Sequence, residues 1–249
     1  PAGLGYLSGS EIALMHVNWL PNLADDIYYD FLAYRQKIPD LGTFGAHLIY
    51  LNLGKQMRTD EEKNELGMFA SNMWALTGSF GAMLGSNSSV GVSVKILQQN
   101  LAPEGAGSED DIGSSTNVLF DIGYLKKTNW FVPVNFGLAV TNIGPKIWFR
   151  DKTQADPAPT NMKLGIYSTL YSDEFNKIDF LFDANKLLVA RYPEMDWNGN
   201  GRIDRGTEEE SHSDKWTKAL YTAWLDDWYY GGDLNLCEGN CLQALYSDQ

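Results

Sequence analysis

The stretch Val134-Asn135-Phe136-Gly137-Leu138-Ala139-Val140-Thr141-Asn142, closed by Ile143-Gly144-Pro145, decides the fold. Apolar residues alternate with small or polar ones at a period of two, which puts Val134, Phe136, Leu138 and Val140 on one face of a strand. Two surroundings suit such a strand. Either the apolar face packs on a protein core and the other meets water, or the apolar face meets lipid and the other lines a barrel.

The same rhythm recurs outward from this segment. Val90, Val92, Val94 and Ile96 alternate with Gly91, Ser93, Lys95 and Leu97, and Ile178, Phe180 and Phe182 alternate with Lys177, Asp179, Leu181 and Asp183. Ten strands are predicted, over 11–19, 27–36, 42–53, 72–84, 89–99, 116–125, 132–143, 145–150, 161–171 and 176–188. Most have the roughly 9 to 11 residues that a tilted membrane strand needs. Gly85-Ser86-Asn87-Ser88 and Ile143-Gly144-Pro145 supply turn chemistry between neighbours, so an up-and-down antiparallel order is expected. The second face carries Lys95, Asp121, Asp179 and Asp183, which would face water outside a sandwich or the polar lumen of a barrel.

Composition narrows the function classes. The 249 residues include 13% aromatics, with 8 Trp, 13 Tyr and 11 Phe, but only 20% charged residues. Girdles of aromatic side chains at a membrane interface produce such a surplus. A formal net charge of -13 and the lack of a basic stripe exclude a nucleic-acid binder, which needs clustered Lys and Arg to neutralise phosphates. No run reaches the 18 or so apolar residues of a membrane helix. One domain spanning 1–249 is expected.

Three insertions, 54–71, 100–115 and 189–249, hold most of the acidity. In the last, Ser213 or Asp214 reads as an N-cap and Gly231 as a stop for a short helix with a stripe of Trp216, Leu220, Ala223, Trp224 and Trp228. Trp216, Leu220, Trp224 and Trp228 are the candidate partner-binding residues, on the barrel rim or against another protein. The segment Asp196-Trp197-Asn198-Gly199-Asn200-Gly201-Arg202-Ile203-Asp204 follows the oxygen spacing of a calcium loop. Its candidate ligands for structural Ca2+ are Asp196, Asn198, Asn200, the Arg202 carbonyl and Asp204. Thr207 stands where the bidentate Glu belongs, with Glu208 one residue late as a substitute. The alternative reading is an Asn/Gly turn that caps its own backbone. Cys237 and Cys241 flank Glu238-Gly239-Asn240, a spacing that suits a small disulfide loop outside the cytoplasm or two reduced thiols within it.

No catalytic constellation stands out. His16, His47 and His212 belong to no metal or triad spacing, and no nucleophile elbow or phosphate loop is present. Asp25-Asp26 and Asp226-Asp227 have the residue types of glycosidase carboxylates but sit where solvated acids are usual. No enzymatic activity is expected.

A family resemblance adds to this reading. Pro1-Ala2-Gly3-Leu4, Trp19-Leu20-Pro21-Asn22-Leu23-Ala24-Asp25-Asp26, Leu41-Gly42-Thr43-Phe44-Gly45 and Tyr50-Leu51-Asn52-Leu53-Gly54 resemble, in order, the PorV/PorQ family of FadL-like outer-membrane barrels of the Bacteroidota type IX secretion system. Phe120-Asp121-Ile122-Gly123-Tyr124-Leu125, the run Gly137 to Lys146, and Ala155-Asp156-Pro157-Ala158-Pro159-Thr160-Asn161-Met162-Lys163-Leu164-Gly165 continue the likeness, which is better to PorV than to PorQ. The resemblance implies an all-β, up-and-down transmembrane barrel, FadL-like, of 14 strands when complete. This chain would be incomplete at both ends, and 189–249 would be an extracellular insertion within the barrel.

The same resemblance implies a non-enzymatic role in the bacterial outer membrane, with loops exposed at the cell surface. The protein would receive cargo by its C-terminal signal domain from the translocon barrel and carry it to a surface attachment complex containing a sortase. Two alternatives remain: FadL-like transport of hydrophobic molecules, and a secreted, calcium-stabilised glycan-binding β-sandwich. The sandwich requires Val134, Phe136, Leu138 and Val140 to face a protein core.

Overall fold

The computed structural model describes residues 1–22, 24–59, 63–102, 113–129, 131–149, 155–192, 194, 200–206 and 210–224. After a 3-10 helix, Ala2–Tyr6, nine strands follow: β1 Ser10–Asn18, β2 Ile27–Ile38, β3 Gly42–Thr59, β4 Glu65–Met83, β5 Ser88–Ala102, β6 Gly113–Asn129, β7 Pro133–Ile143, β8 Asn161–Ser172 and β9 Lys177–Leu187. Each pairs antiparallel with its neighbours in sequence, giving one sheet in the order β1 to β9. A two-residue hairpin, β10 Arg191–Tyr192 with β11 His212–Ser213, and one helix, α1 Trp216–Thr222, complete the described elements.

Two expectations are corrected. Of the strand predicted over 145–150, the described residues 145–149 form none: beyond Gly144-Pro145 only Ile147 makes a bridge among them, to Asp156, because the proline cannot donate to a ladder. The predicted insertion at 54–71 is instead a hairpin arm, since β3 runs on to Thr59 and β4 starts at Glu65. A register shift between Asn52 and Lys55 carries the arm past a bulge. There Gly54 has φ +78, and Asp26 accepts the Lys55 N–H at 2.8 Å.

The sheet is inside out by the standard of a soluble protein. Val92, Phe120 and Phe180 are 53%, 47% and 48% exposed, whereas Ser89, Ser93 and Thr77 on the opposite face are 0%, 4% and 1% exposed. Leu138 of the opening segment is likewise exposed. Among the described residues no second sheet covers the apolar face, and Leu119 is the one side chain of the sheet larger than alanine that is both apolar and buried. A sandwich core is therefore absent here. An apolar face of this extent is stable where lipid replaces water.

Register gives that face its geometry. Leu14, Leu32, Leu48, Leu76, Ile96 and Val118 share one row across β1 to β6. On β9 the apolar residue Phe182 aligns through Ile166 and Phe136 with Lys126, well below Val118 on β6. The apolar row thus keeps its level across β1 to β6 and slips by 8 residues, from Val118 to Lys126, over the three steps from β6 to β9, the kind of stagger that tilted strands produce. Above the leucine row Tyr50 pairs with Trp74, and above them Asn52, Asn72 and Asn100 align. Aromatics followed by carboxamides mark the passage from hydrocarbon to headgroups and water.

The two ends of the wall differ. Three or four residues separate β2 from β3, β4 from β5, β6 from β7 and β8 from β9, while the longer connections and α1 all lie at the other end.

Candidate functional site

Two features stand on the covered side of the sheet: a segment laid across its inner face and a cap at its loop end. The inner face of β4 to β6 has a flat slot because Gly81, Gly91 and Gly123 stand opposite one another in register. Residues 1–8 lie in it. A Cβ at Gly91 would fall 2.4 Å from the Pro1 carbonyl carbon, and one at Gly81 would fall 2.7 Å from Leu4 Cβ, so backbone approaches where only glycine leaves room. Ser89 Oγ donates to Ala2 O at 2.8 Å, Tyr6 OH to Asn87 O at 2.7 Å, and Arg35 Nη1 to Ser8 O at 2.7 Å. Lys127 Nζ stands 4.0 Å from the Tyr6 ring centroid. Pattern reading missed this element, for its partners lie in four different strands.

Beside the segment, a cavity of about 380 Å³ is open to solvent and lined by Leu4, Ala13, Ala33, Glu11, Arg35, His47 and Ser79 among others. Arg35 Nε donates to Glu11 Oε2 at 2.9 Å, and Ser79 and Ser93 share a hydroxyl bond of 2.8 Å. The face is polar, and its Arg35–Glu11 and Lys95–Asp121 charges are paired, as their place beside a low-dielectric wall requires.

A charged clamp ties the loop end to this face. Lys95 Nζ donates to Asn142 Oδ1 at 2.6 Å and lies 3.7 Å from Asp121 Oδ1, which itself accepts the Asn142 N–H at 2.8 Å. Asn142 has φ +57, a left-handed conformation that Asn tolerates, and it turns the chain sharply after β7. Thr160 Oγ1 then donates to Asn142 O at 3.0 Å, and Gly144 sits so close to Leu119 that a Cβ would meet Cδ2 at 2.5 Å. The segment 144–160 is thereby anchored at both ends. Lys95 and Asp121 were legible as second-face charges; their link to Asn142 was not.

On that anchor sits the cap. Ala158, Leu188, Ala190, Ala219 and Ala223 are buried together with Asp214, making the small apolar core that the sheet itself lacks. Asp214 is the central polar group rather than the expected N-cap. The helix N-cap is Lys215 with no side-chain cap bond, while the Asp214 carboxylate accepts from Lys218 at 2.8 Å, Thr222 at 2.9 Å and Tyr192 at 3.0 Å. Burial opposes its charge, but these three donors outweigh it and hold the carboxyl below its ordinary value. Lys146 Nζ donates to Ser213 O at 2.9 Å, and Tyr192 stacks on His212 at 4.8 Å.

The predicted stripe divides. Of its members Ala223 is buried, next to Ala219, which the stripe did not include, while Trp216, Leu220 and Trp224 are exposed, and Trp228 lies outside the described residues. Of the calcium-loop residues, Asn200 and Asp204 meet, with Asn200 Nδ2 3.1 Å from Asp204 Oδ2, and Asn200 Oδ1 accepts the Arg202 N–H at 2.8 Å. Asp196, Asn198 and Glu208 lie outside the described residues, as do Cys237 and Cys241. Among the described residues no group of three metal-ligating side chains occurs. Asp26 is occupied at the β3 bulge, and its neighbour Asp25 is exposed.

A staggered antiparallel meander with its apolar face outward, a lined polar face within and a built cap at the loop end defines a membrane-wall protein that crosses with strands. The family described as "Type IX secretion system protein PorV" matches residues 7–194, and the chain belongs to this family, a component of that secretion system in the outer membrane. No curated protein matches the chain.

Proposed function

We propose that the sheet closes into a barrel and that the protein takes cargo, by its C-terminal signal domain, from the translocon barrel and passes it to the sortase-containing attachment complex. Family membership supports the pathway. The observation that carries the shuttle role is the cap: a compact unit pinned to the barrel end by the Lys95–Asp121–Asn142 clamp, with aromatic side chains turned outward. Surfaces of that kind serve binding. No bond is made or broken in this role, and the protein is not an enzyme in it. A calcium ion at the Asp196 loop and a Cys237–Cys241 disulfide are proposed to stiffen the same surface-exposed segment.

Affinity purification of the endogenous, detergent-extracted protein with mass spectrometry tests the reading. Translocon, sortase complex and several cargo proteins sharing one C-terminal domain are expected. A protein that needs no detergent and brings down none of them refutes it. Calorimetry with Ca2+ and thiol mass mapping check the two accessory features.

A further inference from the structure

We infer that the four short turns of the wall are seated in the bilayer, each inserting one large apolar side chain, Leu41, Leu84, Phe131 or Phe175, among the headgroups and upper acyl chains of the phospholipid leaflet at the turn end. Such seating requires only that the wall crosses the membrane, and it is independent of the cargo role proposed above.

Hairpin turns that meet water favour Gly, Asn, Asp and Ser. Here the turns between β2 and β3, β4 and β5, β6 and β7, and β8 and β9 each hold a side chain of the opposite kind: Leu41, Leu84, Phe131 and Phe175 are 61%, 58%, 105% and 87% exposed. All four continue the lipid-facing band. On β4 the outward Phe80 and Ala82 are followed at the same two-residue step by Leu84, whose N–H is still bonded to Ser88 O at 2.7 Å. Leu41, Phe131 and Phe175 stand three positions before Phe44, Val134 and Ile178, the first outward side chains of the strands they lead into.

The height of the band sets the same level. Counted from the Tyr50–Trp74 pair on the loop side, Leu84 is ten residues down β4 and Leu41 nine residues down β3. At about 3.4 Å per residue and a tilt of about 40°, ten residues descend about 26 Å, and the apolar band of a membrane barrel is about 25 Å tall. The second interface therefore falls at the turns. Toward the loops, Gln98, Asn52, Asn72 and Asn100 meet the headgroups; toward the turns no strand is left beyond Leu84, and the tips take that place. Lys126, exposed on the outward face of β6 just after Tyr124, has a stem long enough to bring its ammonium to lipid phosphate. Spacing favours lipid over a protein partner. Successive hairpins are two strands apart, so neighbouring tips stand roughly 10 Å from one another. Protein docking sites gather their apolar anchors into one patch, whereas single side chains in a row fit a planar leaflet.

The test uses the full chain in vesicles of phosphatidylcholine and phosphatidylglycerol, in a Cys237→Ser/Cys241→Ser background, with one nitroxide label at a time read by its collisions with oxygen and with a water-soluble nickel chelate. Labels at Ser86 and Glu174, near Leu84 and Phe175, report the turns; a label at Val92 reports the lipid-facing band, and one at the exposed Asp25 reports the loop end. Expected at Ser86 and Glu174 is an oxygen-to-nickel ratio at least about threefold above that at Asp25, with a return toward the Asp25 value in Leu84→Ser and Phe175→Ser and retention in Leu84→Phe and Phe175→Trp. Circular dichroism and the thermal transition verify that the variants stay folded. A ratio at either turn equal to that at Asp25 overturns the inference. So does low access to both reagents, the mark of a protein contact, or a ratio that the serine variants leave unchanged. The Val92 label separates the two readings: nickel access there refutes the membrane wall itself, whereas lipid at Val92 with water at the turns refutes only the seating of the turns.

Discussion

Replacing Gly91 by alanine should eject residues 1–8 from the inner face. The new Cβ would lie 2.4 Å from the Pro1 carbonyl carbon, 2.5 Å from Ala2 N and 2.7 Å from Pro1 O, all backbone atoms that no rotamer change can move. Ordinary contact needs an ångström more. At Gly123 in the same register row, the corresponding Cβ meets Ala2 Cβ at 3.4 Å, which is normal packing. The displaced segment would give up the buried Ser89–Ala2 bond and leave that hydroxyl without a partner, besides loosening the Lys127 contact with Tyr6. Overpacking costs typically 1 to 3 kcal/mol, so Gly91→Ala should weaken docking by about 2 to 3 kcal/mol, or roughly 30- to 150-fold in the docked population. Hydrogen exchange of residues 2–8 in detergent reads it, because the Leu4 and Leu7 amides are bonded within the segment at 3.0 and 3.1 Å. Their protection should drop by that factor in Gly91→Ala and stay near wild type in Gly123→Ala. Equal protection in all three proteins would refute the slot, and equal loss in both variants would show that the row tolerates no side chain for another reason.

Further outcomes follow from the same geometry. Val94→Arg on the outer face should lower stability in lipid vesicles by about 2 to 4 kcal/mol, whereas Thr77→Val within, where Oγ1 has no partner, should be neutral or slightly stabilising; urea titrations of both compare them. Lys95→Ala should cost about 3 kcal/mol by leaving the 8% exposed Asp121 without its cation and with the Asn142 N–H as its remaining partner, with recovery in the Lys95→Ala/Asp121→Asn double variant. The cap should loosen in acid: Asp214 titrates below its ordinary value, so its stabilisation is complete above the unfolded carboxylate pKa of about 3.9 and is lost as pH falls through the lower folded value. Tryptophan fluorescence of Asp214→Asn should lack that transition. The β8–β9 turn behaves alike, since Tyr171 OH and the Phe175 and Asn176 amides hold Asp173 at about 2; the protection of those amides relative to their intrinsic exchange rates should fall as pH drops from 3.8 toward about 2, the interval assigned by that shift.

Much of the wall was legible because lipid-facing strands state their geometry in period-two alternation. Val90 to Ile96 and Ile178 to Phe182 give both the strands and the face. Reading failed where that solvent stops. Beyond the bulge at Gly54 the strands leave the apolar band, so Lys55, Gln56 and Arg58 carry no alternation and the arm looked like a loop. Conversely, Ile147 and Phe149 alternate with Lys146 and Trp148, yet the chain there is an anchored connection rather than a strand. At the cap, Asp214 has the residue type and place of an N-cap, and only tertiary partners at Tyr192 and Lys218 reveal its other role. The glycines of the slot come together through register alone, Gly91 and Gly123 lying 32 positions apart in sequence.

That slot also orders the assembly of the molecule. Every strand pairs with its sequence neighbours, so the wall can grow one hairpin at a time, each step closing a short loop and leaving a single open edge. Residues 1–8 have no place in such an early hairpin. Their seat is built from β3, β4, β5 and β6, and it does not exist until the row Gly81–Gly91–Gly123 is in register. The first residues of this chain therefore settle only after β3 to β6 have paired, and their docking reports that this part of the wall has been laid correctly.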